Sequence, residues 1–150
     1  MIILCLLILK MADNGQNSEI TELLVATDKT PKFSFKGMTV FAKITHAYDG
    51  DTVHAVFKFN NKIQRFTVRM HGYNSAEIKG ATEEERNAAQ RSKKVLCDLI
   101  LDKIVTLEIG DFDKYGRLLG TVKLNGLNVN EYMVTNGYGC AYNGSGEKKW

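Results

Sequence analysis

The 150-residue sequence has a composition typical of one globular domain, with 44% hydrophobic and 25% charged residues. Its 20 lysines and arginines against 17 aspartates and glutamates give a net charge of +3, which permits a polyanionic partner without establishing one. The composition excludes a largely disordered chain. The cysteines, Cys5, Cys97 and Cys140, form no CxxC pair, which argues against a zinc site or a disulfide framework and fits a reducing compartment.

The first ten residues, MIILCLLILK, are apolar but lack the positive n-region and the nearby cleavage motif of a signal peptide. They are too short to span a bilayer, so we expect no stable membrane span and favour an intracellular over a secreted protein. An upstream start codon and a membrane-directing segment both stay open, since Met11 begins an ordinary polar sequence. We predict that residues 1–37 are an N-terminal extension, with a short helix near 18–26 capped by Ser18.

From Met38 onward the sequence is rich in β-branched and aromatic residues, a composition typical of β-strands. The predicted strands cover residues 38–48, 52–59, 63–73, 104–112 and 117–124. The pair Asn60-Asn61 predicts a hairpin turn between the second and third strands. Residues 81–103 form the clearest helix, which begins at Thr82 as N-cap, and residues 128–137 form a short second one.

This order of elements predicts a mainly β protein with helices, of the α+β class. We expect a five-stranded OB-fold barrel over residues 38–150, with a helix between the third and fourth strands and a short C-terminal helix. Closing such a barrel removes most of the exposed sheet edge.

The loop YDGDT at 48–52 places Asp49 and Asp51 on either side of a glycine. Asp-Gly is a strong turn signal, so a tight turn explains this loop by itself. Two neighbouring carboxylates repel each other, however, and a bound cation would relieve that repulsion.

Further polar clusters flank the later strands: Arg69 and Glu77 after the third, DFDKYGR at 111–117 between the fourth and fifth, and YGCAYNGSG at 138–146. The first and fourth interstrand loops of an OB barrel lie near its nucleic-acid face, so these segments are expected to converge. Purely structural interpretations stay open, because Arg69 and Glu77 also suit a structural salt bridge and Arg117 suits a solvated hairpin.

Three segments, ITHAYDGDTV, RFTVRMHGYNSAE and DKYGRLLGTVKLNGLNVNEYMVTNGYG, together resemble the staphylococcal nuclease, or thermonuclease, family. The resemblance covers roughly residues 38–142. It implies an OB-fold nuclease that hydrolyses DNA and RNA with one calcium ion, shows little sequence specificity and leaves 3′-phosphate ends. We therefore expect a DNA or RNA substrate, and a monomer.

Residue by residue, the resemblance implies that Asp51 is a calcium ligand, Glu77 the general base, and Arg69 with Arg117 the pair that grips the scissile phosphate. This assignment is chemically consistent, because guanidinium forks stabilise the charge that builds on phosphoryl oxygens. A carboxylate can accept the proton of the attacking water. Asp49 is expected to shape the turn by bonding backbone groups.

The segment NSAE at 74–77 departs from the family's Asp-Thr-Pro-Glu. Asn74 falls where a second acidic calcium ligand is expected, so the site loses one negative charge and should bind calcium less tightly. Ser75 is expected to offer its backbone carbonyl to the ion. Ala76 replaces a rigid proline, so the loop that carries Glu77 is expected to be less pre-organised.

The resemblance also implies nucleotide contacts from Lys114, Tyr115 and Tyr142. Two functions other than catalysis stay open. Asn74 and the small net charge suit a non-catalytic OB module that binds single-stranded nucleic acid, for which binding without cleavage would be diagnostic. The second alternative is a protein-interaction domain that has kept only the fold.

Overall fold

A computed structural model describes residues 14–150, and the apolar stretch 1–10 lies outside the described residues. The chain divides into two compact units between Phe33 and Ser34. Among the helices of the described part, none is long and apolar enough to cross a membrane.

The N-terminal unit contains helix α1 (Asn14–Leu24), most of which is exposed. This corrects the helix predicted near 18–26, because Ser18 lies inside α1 instead of capping it. The Thr21 hydroxyl donates to the Asn17 carbonyl at 2.8 Å, one helical turn back, so the polar residues before Ser18 already have helical geometry.

The second unit is built on five long strands that form a closed barrel. They are β1 (Thr39–Ala47), β2 (Thr52–Phe59), β3 (Lys62–Met70), β5 (Ile104–Phe112) and β6 (Leu118–Leu124). The remaining elements are the short strands β4 (Tyr73–Asn74), β7 (Leu127–Asn128) and β8 (Cys140–Ala141), and the helices α2 (Glu83–Ile100) and α3 (Val129–Thr135). The predicted OB-fold, with a helix between the third and fourth long strands and a short C-terminal helix, is confirmed.

The sheet order is β3-β2-β1-β5-β6, and a parallel pairing of β6 with β3 closes the barrel. Asn60 and Asn61 both have positive φ, at 50° and 62°, as the predicted two-residue hairpin turn requires. In the closing pair, Arg69 is the register partner of Leu119. Side chains alternate along a strand, so Arg69 and Arg117 lie on the same, outward face of this pairing.

The core lies inside the barrel and beneath α2 and α3. Phe35 belongs to it, because its ring meets those of Phe57, Phe59, Phe66 and Phe112 at centroid separations from 4.7 to 6.1 Å. The unit boundary therefore precedes Phe35, whereas the sequence suggested an extension through residue 37.

Helix α3 is fastened to the barrel by Asn130, which is 5% exposed. Its Oδ1 accepts from the Val122 N–H at 2.9 Å, and its Nδ2 donates to the carbonyls of His71 and Gly120 at 2.9 Å each. One amide thus holds together α3, β6 and the loop that follows β3.

We expect Asn130→Ala to destabilise the protein by about 1–3 kcal/mol, because three backbone groups lose their hydrogen bonds to this side chain. Urea unfolding measures the change. The control is Asn136→Ala, which removes a single exposed hydrogen bond to the Tyr132 carbonyl and should cost less than about 1 kcal/mol. Equal losses in the two variants would contradict the role given to Asn130.

Candidate active site

The loop between β1 and β2 is a tight turn that folds against two other segments. Asp49 Oδ1 accepts from the Asp51 N–H at 3.0 Å, which confirms the predicted turn-shaping role of Asp49. A Cβ on Gly50 would lie 2.6 Å from the Ser92 Cβ and 2.9 Å from the Ser75 Cβ, so only glycine lets the turn approach this closely. The Tyr73 hydroxyl donates to the Gly50 carbonyl at 2.7 Å and fixes the approach.

Asp51 joins this turn to β3 and to the segment after β4. Its Oδ2 accepts from the Ser75 N–H at 2.8 Å and lies 3.2 Å from Arg69 Nη2, while Oδ1 accepts from the Thr52 hydroxyl at 2.9 Å. The Asp51 and Arg69 side chains are 7% and 11% exposed, so the ion pair is largely removed from water. Arg69 is therefore paired with Asp51, and the alternative of a structural bridge to Glu77 is wrong.

Asn74 contacts the same Nη2 group of Arg69 that is paired with Asp51. The guanidinium donates from Nη1 to the Met70 carbonyl at 2.7 Å and from Nη2 to Asn74 Oδ1 at 3.3 Å. The Asn74 Nδ2 donates in turn to the Lys149 carbonyl at 3.1 Å. Asp51 and Asn74 thus hold the Arg69 guanidinium in a fixed orientation.

The chemistry of this cluster fits a hard cation, although its geometry is not that of a complete metal site. Burial, and after it the negative charge of Asp51, raises the pKa of Asp49 to about 6, with a smaller contribution from Glu77. The charged form of Asp49 is therefore disfavoured, first by its removal from water and then by repulsion from Asp51. Within residues 14–150, no group of three or more His, Cys, Asp or Glu side chains is arranged to hold a metal ion. The donors present are carboxylate, amide and backbone oxygens, the types that calcium prefers.

Arg117 is positioned by Asp113 in the loop between β5 and β6. Asp113 Oδ1 accepts from the N–H groups of Tyr115 and Arg117 at 2.8 and 2.9 Å, and Oδ2 accepts from Arg117 Nε at 2.6 Å. Gly116 takes the positive φ of 80° that the turn needs. Among residues 14–150, the side-chain contact of Arg117 with Asp113 uses Nε, and no hydrogen bond from either Nη group is formed, so both stay available to a ligand.

Both cations of this loop lie close to the same aromatic ring, that of Tyr115. The Lys114 Nζ lies 5.0 Å and the Arg117 guanidinium carbon 5.4 Å from the centroid of the Tyr115 ring. These are cation–π distances. The ring is also 71% exposed, so a base can stack on it.

A cleft of about 360 Å³ runs along the outward face of the β3–β6 pairing. Its charged and aromatic lining includes Arg69, Lys114, Tyr115, Arg117, Tyr142 and Lys148. Tyr142 is brought there by the pairing of β8 with β4 and by its own N–H, which donates to the Gly72 carbonyl at 2.9 Å. The volume is within the range of small-ligand sites and suits one nucleotide unit.

The structure thus assembles the residues predicted from the sequence into two adjoining groups. Asp51, Asn74 and Ser75 are buried beside Arg69, and the two arginines line the cleft with Lys114, Tyr115 and Tyr142. Glu77 is exposed and does not line the cleft, although its charge reaches Asp49. Sequence analysis missed Asp113 and Lys148. The position of Asp113, two residues before Tyr115 in a turn, could have indicated its role, whereas no local feature of the sequence indicated Lys148.

Fold and site together define an OB-fold protein with a cationic cleft, bordered by a buried carboxylate cluster, that suits an anionic ligand. Residues 67–149, more than half of the chain, match the family model described as staphylococcal nuclease homologue. The protein therefore belongs to the staphylococcal nuclease family.

Individual relatives agree with this membership. An uncharacterised endonuclease of Haemophilus influenzae is 36% identical over 100 residues, which cover 67% of this chain and 51% of the relative. An uncharacterised Bacillus anthracis protein is 34% identical over 112 residues, covering 72% and 50% of the two chains. A probable staphylococcal-like nuclease of rice is 31% identical over 75 residues, which are 50% of this chain and 19% of the relative. The chain spans about half the length of the first two.

The Asp113–Arg117 contact predicts a pH-dependent stability. Burial by itself would raise the pKa of Asp113, but hydrogen bonds from Arg117 and Tyr115 outweigh it and lower the pKa below its ordinary 3.8. A lowered pKa means that charged Asp113 stabilises the fold above its unfolded pKa, and that this stability is lost as pH falls through the folded pKa. We expect Asp113→Asn to be less stable than the parent by about 1 kcal/mol at neutral pH, with the difference shrinking below about pH 4.

Thermal melts of both proteins across the acid range measure this difference. Asp98→Asn is the matched control, because that carboxylate is 63% exposed, its partner Lys94 lies on the surface, and such pairs contribute little. A gap between parent and Asp113→Asn that stays constant down to the lowest pH would contradict the assignment.

Proposed function

We propose that this protein is a calcium-dependent nuclease that hydrolyses phosphodiester bonds of DNA, RNA or both and leaves 3′-phosphate ends. The observation that carries the proposal is the placement of Arg69 and Arg117 on one face of the β3–β6 pairing, along a single cleft and beside a buried carboxylate cluster. Two guanidinium groups beside oxygen donors for a cation are what stabilisation of a phosphoryl transition state requires. All of these groups come from one chain, so we propose that the protein acts as a monomer.

The arginines differ in what they can do. Arg117 has both Nη groups available, so it can donate two hydrogen bonds to non-bridging phosphate oxygens as their charge grows. Arg69 is held by Asp51, Met70 and Asn74, so its main contribution is a guanidinium of fixed orientation in the cleft wall, with much of its charge compensated by Asp51. Because these donors are positioned before the substrate arrives, little reorganisation is needed at the moment of reaction.

In the reaction, Glu77 accepts a proton from a water molecule whose oxygen forms a bond to phosphorus. The bond between phosphorus and the 5′-oxygen breaks, its electron pair leaves with that oxygen, and the oxygen takes a proton to become a 5′-hydroxyl. The other product is a 3′-phosphate, and Glu77 returns its proton to solvent. Glu77 is exposed and lies outside the lining of the cleft, so the water that it deprotonates would have to lie between its carboxylate and the bound phosphate.

Calcium would be held by a carboxylate oxygen of Asp51, the amide oxygen of Asn74 and the backbone carbonyl of Ser75. A bound cation here would draw electron density from a phosphoryl oxygen. Asn74 brings no charge, and its oxygen already accepts from Arg69, so we expect weak calcium binding.

Low sequence specificity follows from the kind of groups that line the cleft. Lysine and arginine contact phosphates, which are the same at every nucleotide, and the exposed ring of Tyr115 with the half-buried ring of Tyr142 suits stacking on any base.

A second candidate is a non-catalytic OB module that binds single-stranded nucleic acid. The observation that favours it is the incomplete metal geometry within residues 14–150, together with the absence of charge on Asn74. Both functions predict nucleic-acid binding with a steep salt dependence, and only the nuclease predicts chelator-sensitive cleavage.

The decisive experiment incubates the purified protein with plasmid, single-stranded oligonucleotide and RNA, with calcium and then with excess chelator. Cleavage that calcium supports and chelator abolishes is expected, with products whose 5′-hydroxyl ends accept label from a polynucleotide kinase without prior dephosphorylation. Binding without cleavage would reject the nuclease and favour the module, and 5′-phosphate products would reject the proposed bond.

Arg117→Ala should lower kcat by about a hundredfold to a thousandfold, because it removes preorganised donors from the transition state. The loss of its ion pair with Asp113 should cost about 1 kcal/mol of stability or less. Arg117→Lys, which keeps the charge and loses the fork, should restore only part of the activity. Arg91→Ala, an exposed arginine on α2, serves as the matched control.

Steady-state cleavage and thermal unfolding of these variants separate the two effects. If Arg117→Ala cleaves as fast as Arg91→Ala, the transition-state role is wrong. If it is mostly unfolded at the assay temperature, the predicted small loss of stability is wrong.

A further inference from the structure

The segment after β8 bends back and forms one side of the cleft. Asn143, Gly144 and Lys148 all line it. The bend has a local cause: Asn143 Oδ1 accepts from both the N–H and the hydroxyl of Ser145, at 3.1 and 2.8 Å. Gly144 adopts a φ of 94°, which other residues rarely reach. The turn returns residue 148 to the cleft.

A hydrogen bond across the site anchors the far end of this segment. The Asn74 Nδ2 donates to the Lys149 carbonyl at 3.1 Å, one residue beyond Lys148. Asn74 is 3% exposed whereas Lys149 is exposed, so the bond is partly buried. Its partners fix the orientation of the amide, because the Arg69 guanidinium can only donate and the carbonyl can only accept.

The charges along the cleft distinguish Lys148 from the arginines. Arg69 is paired with Asp51 and Arg117 with Asp113, so much of their charge is already compensated. Among the residues that the structure describes, neither Lys114 nor Lys148 has a carboxylate within ion-pair distance. The uncompensated positive charge of the cleft therefore comes from two lysines on different segments of the chain.

We propose that Lys148 is a substrate-binding residue that contacts a backbone phosphate of the nucleic acid, and that Asn74 is a positioning residue that holds it there through the Lys149 carbonyl. The inference rests on the proposed function, since it assigns a further contact to the same substrate. It also gives Asn74 a task that an aspartate could not perform, because a carboxylate has no hydrogen to donate to a carbonyl.

The first test measures binding of a short fluorescein-labelled single strand by anisotropy over a series of salt concentrations, with chelator present so that no cleavage occurs. Lys148→Ala should weaken binding severalfold and reduce the slope of log K against log salt by about 0.7, the loss of one phosphate contact to a single strand. Lys62→Ala removes the same charge from the hairpin at the other end of β3 and should leave the slope unchanged.

A double-mutant cycle tests the role of Asn74. Asn74→Leu, similar in volume and without a donor, should weaken binding in the parent and weaken it less in Lys148→Ala, because a released segment no longer presents Lys148. A purely structural effect of Asn74 on Arg69 would be the same in both backgrounds. Circular dichroism confirms that each variant is folded.

The outcomes separate this inference from the proposed function. If the parent cleaves while Lys148→Ala binds as Lys62→Ala does, the inference is overturned and the nuclease stands. If the parent binds without cleaving and Lys148→Ala loses the contact, the inference stands and the nuclease fails. Tighter binding by Lys148→Ala would mean that the segment blocks the cleft, which also overturns the inference.

Discussion

The parallel pairing of β3 with β6 is the constraint on which the site depends. It closes the barrel and sets Val68 opposite Leu118 and Arg69 opposite Leu119, so the inward positions of both strands are apolar and buried while the outward ones carry the arginines. A slip of one residue would turn every side chain of a strand to the other face, placing a guanidinium in the core. Gly120 keeps the register tight, because a Cβ there would lie 2.7 Å from side-chain atoms of both Leu107 and Val68. Core packing therefore fixes the spacing of the two catalytic candidates.

Beside the β3–β6 pairing, the buried charge of Asp51 is tolerated because hydrogen bonds and an opposite charge compensate it. Removing a carboxylate from water is costly unless hydrogen bonds and an opposite charge replace the solvent. Asp51 has both, from the Ser75 N–H, the Thr52 hydroxyl and Arg69. Asp49 is less well compensated, as its raised pKa indicates. The charge of Asp51 is thus largely compensated by its neighbours, whereas Asp49 adds a carboxylate that a cation could neutralise.

The features that the sequence predicted are local in the chain, whereas the contacts that it did not predict are long-range. Strand alternation, the Asn60-Asn61 turn and the Thr82 cap are local features, and each appears in the structure as expected. The resemblance to a known family supplied the convergence of Arg69 with Arg117, which no local pattern contains. Three contacts escaped both sources: the bond from Asn130 to the loop after β3, the ion pair of Arg69 with Asp51, and the bond from Asn74 to Lys149. Each joins segments far apart in the chain, so periodicity and spacing hold no trace of it.

Asn74 shows why a residue's chemistry must be judged by all of its neighbours. Considered only as a departure from the family pattern, it is a weakened calcium ligand. In the structure its oxygen accepts from Arg69 and its nitrogen donates to the backbone at residue 149, so both ends of the amide are used. An aspartate would keep the first contact, strengthen it with charge and improve the metal site, but it would set a carboxylate oxygen against a carbonyl oxygen. An asparagine at position 74 therefore attracts a divalent cation less strongly than an aspartate would, but it anchors the segment that carries Lys148. With asparagine at position 74, the segment that carries the positive charge of Lys148 is held at the cleft. An aspartate there would instead add negative charge beside Asp51.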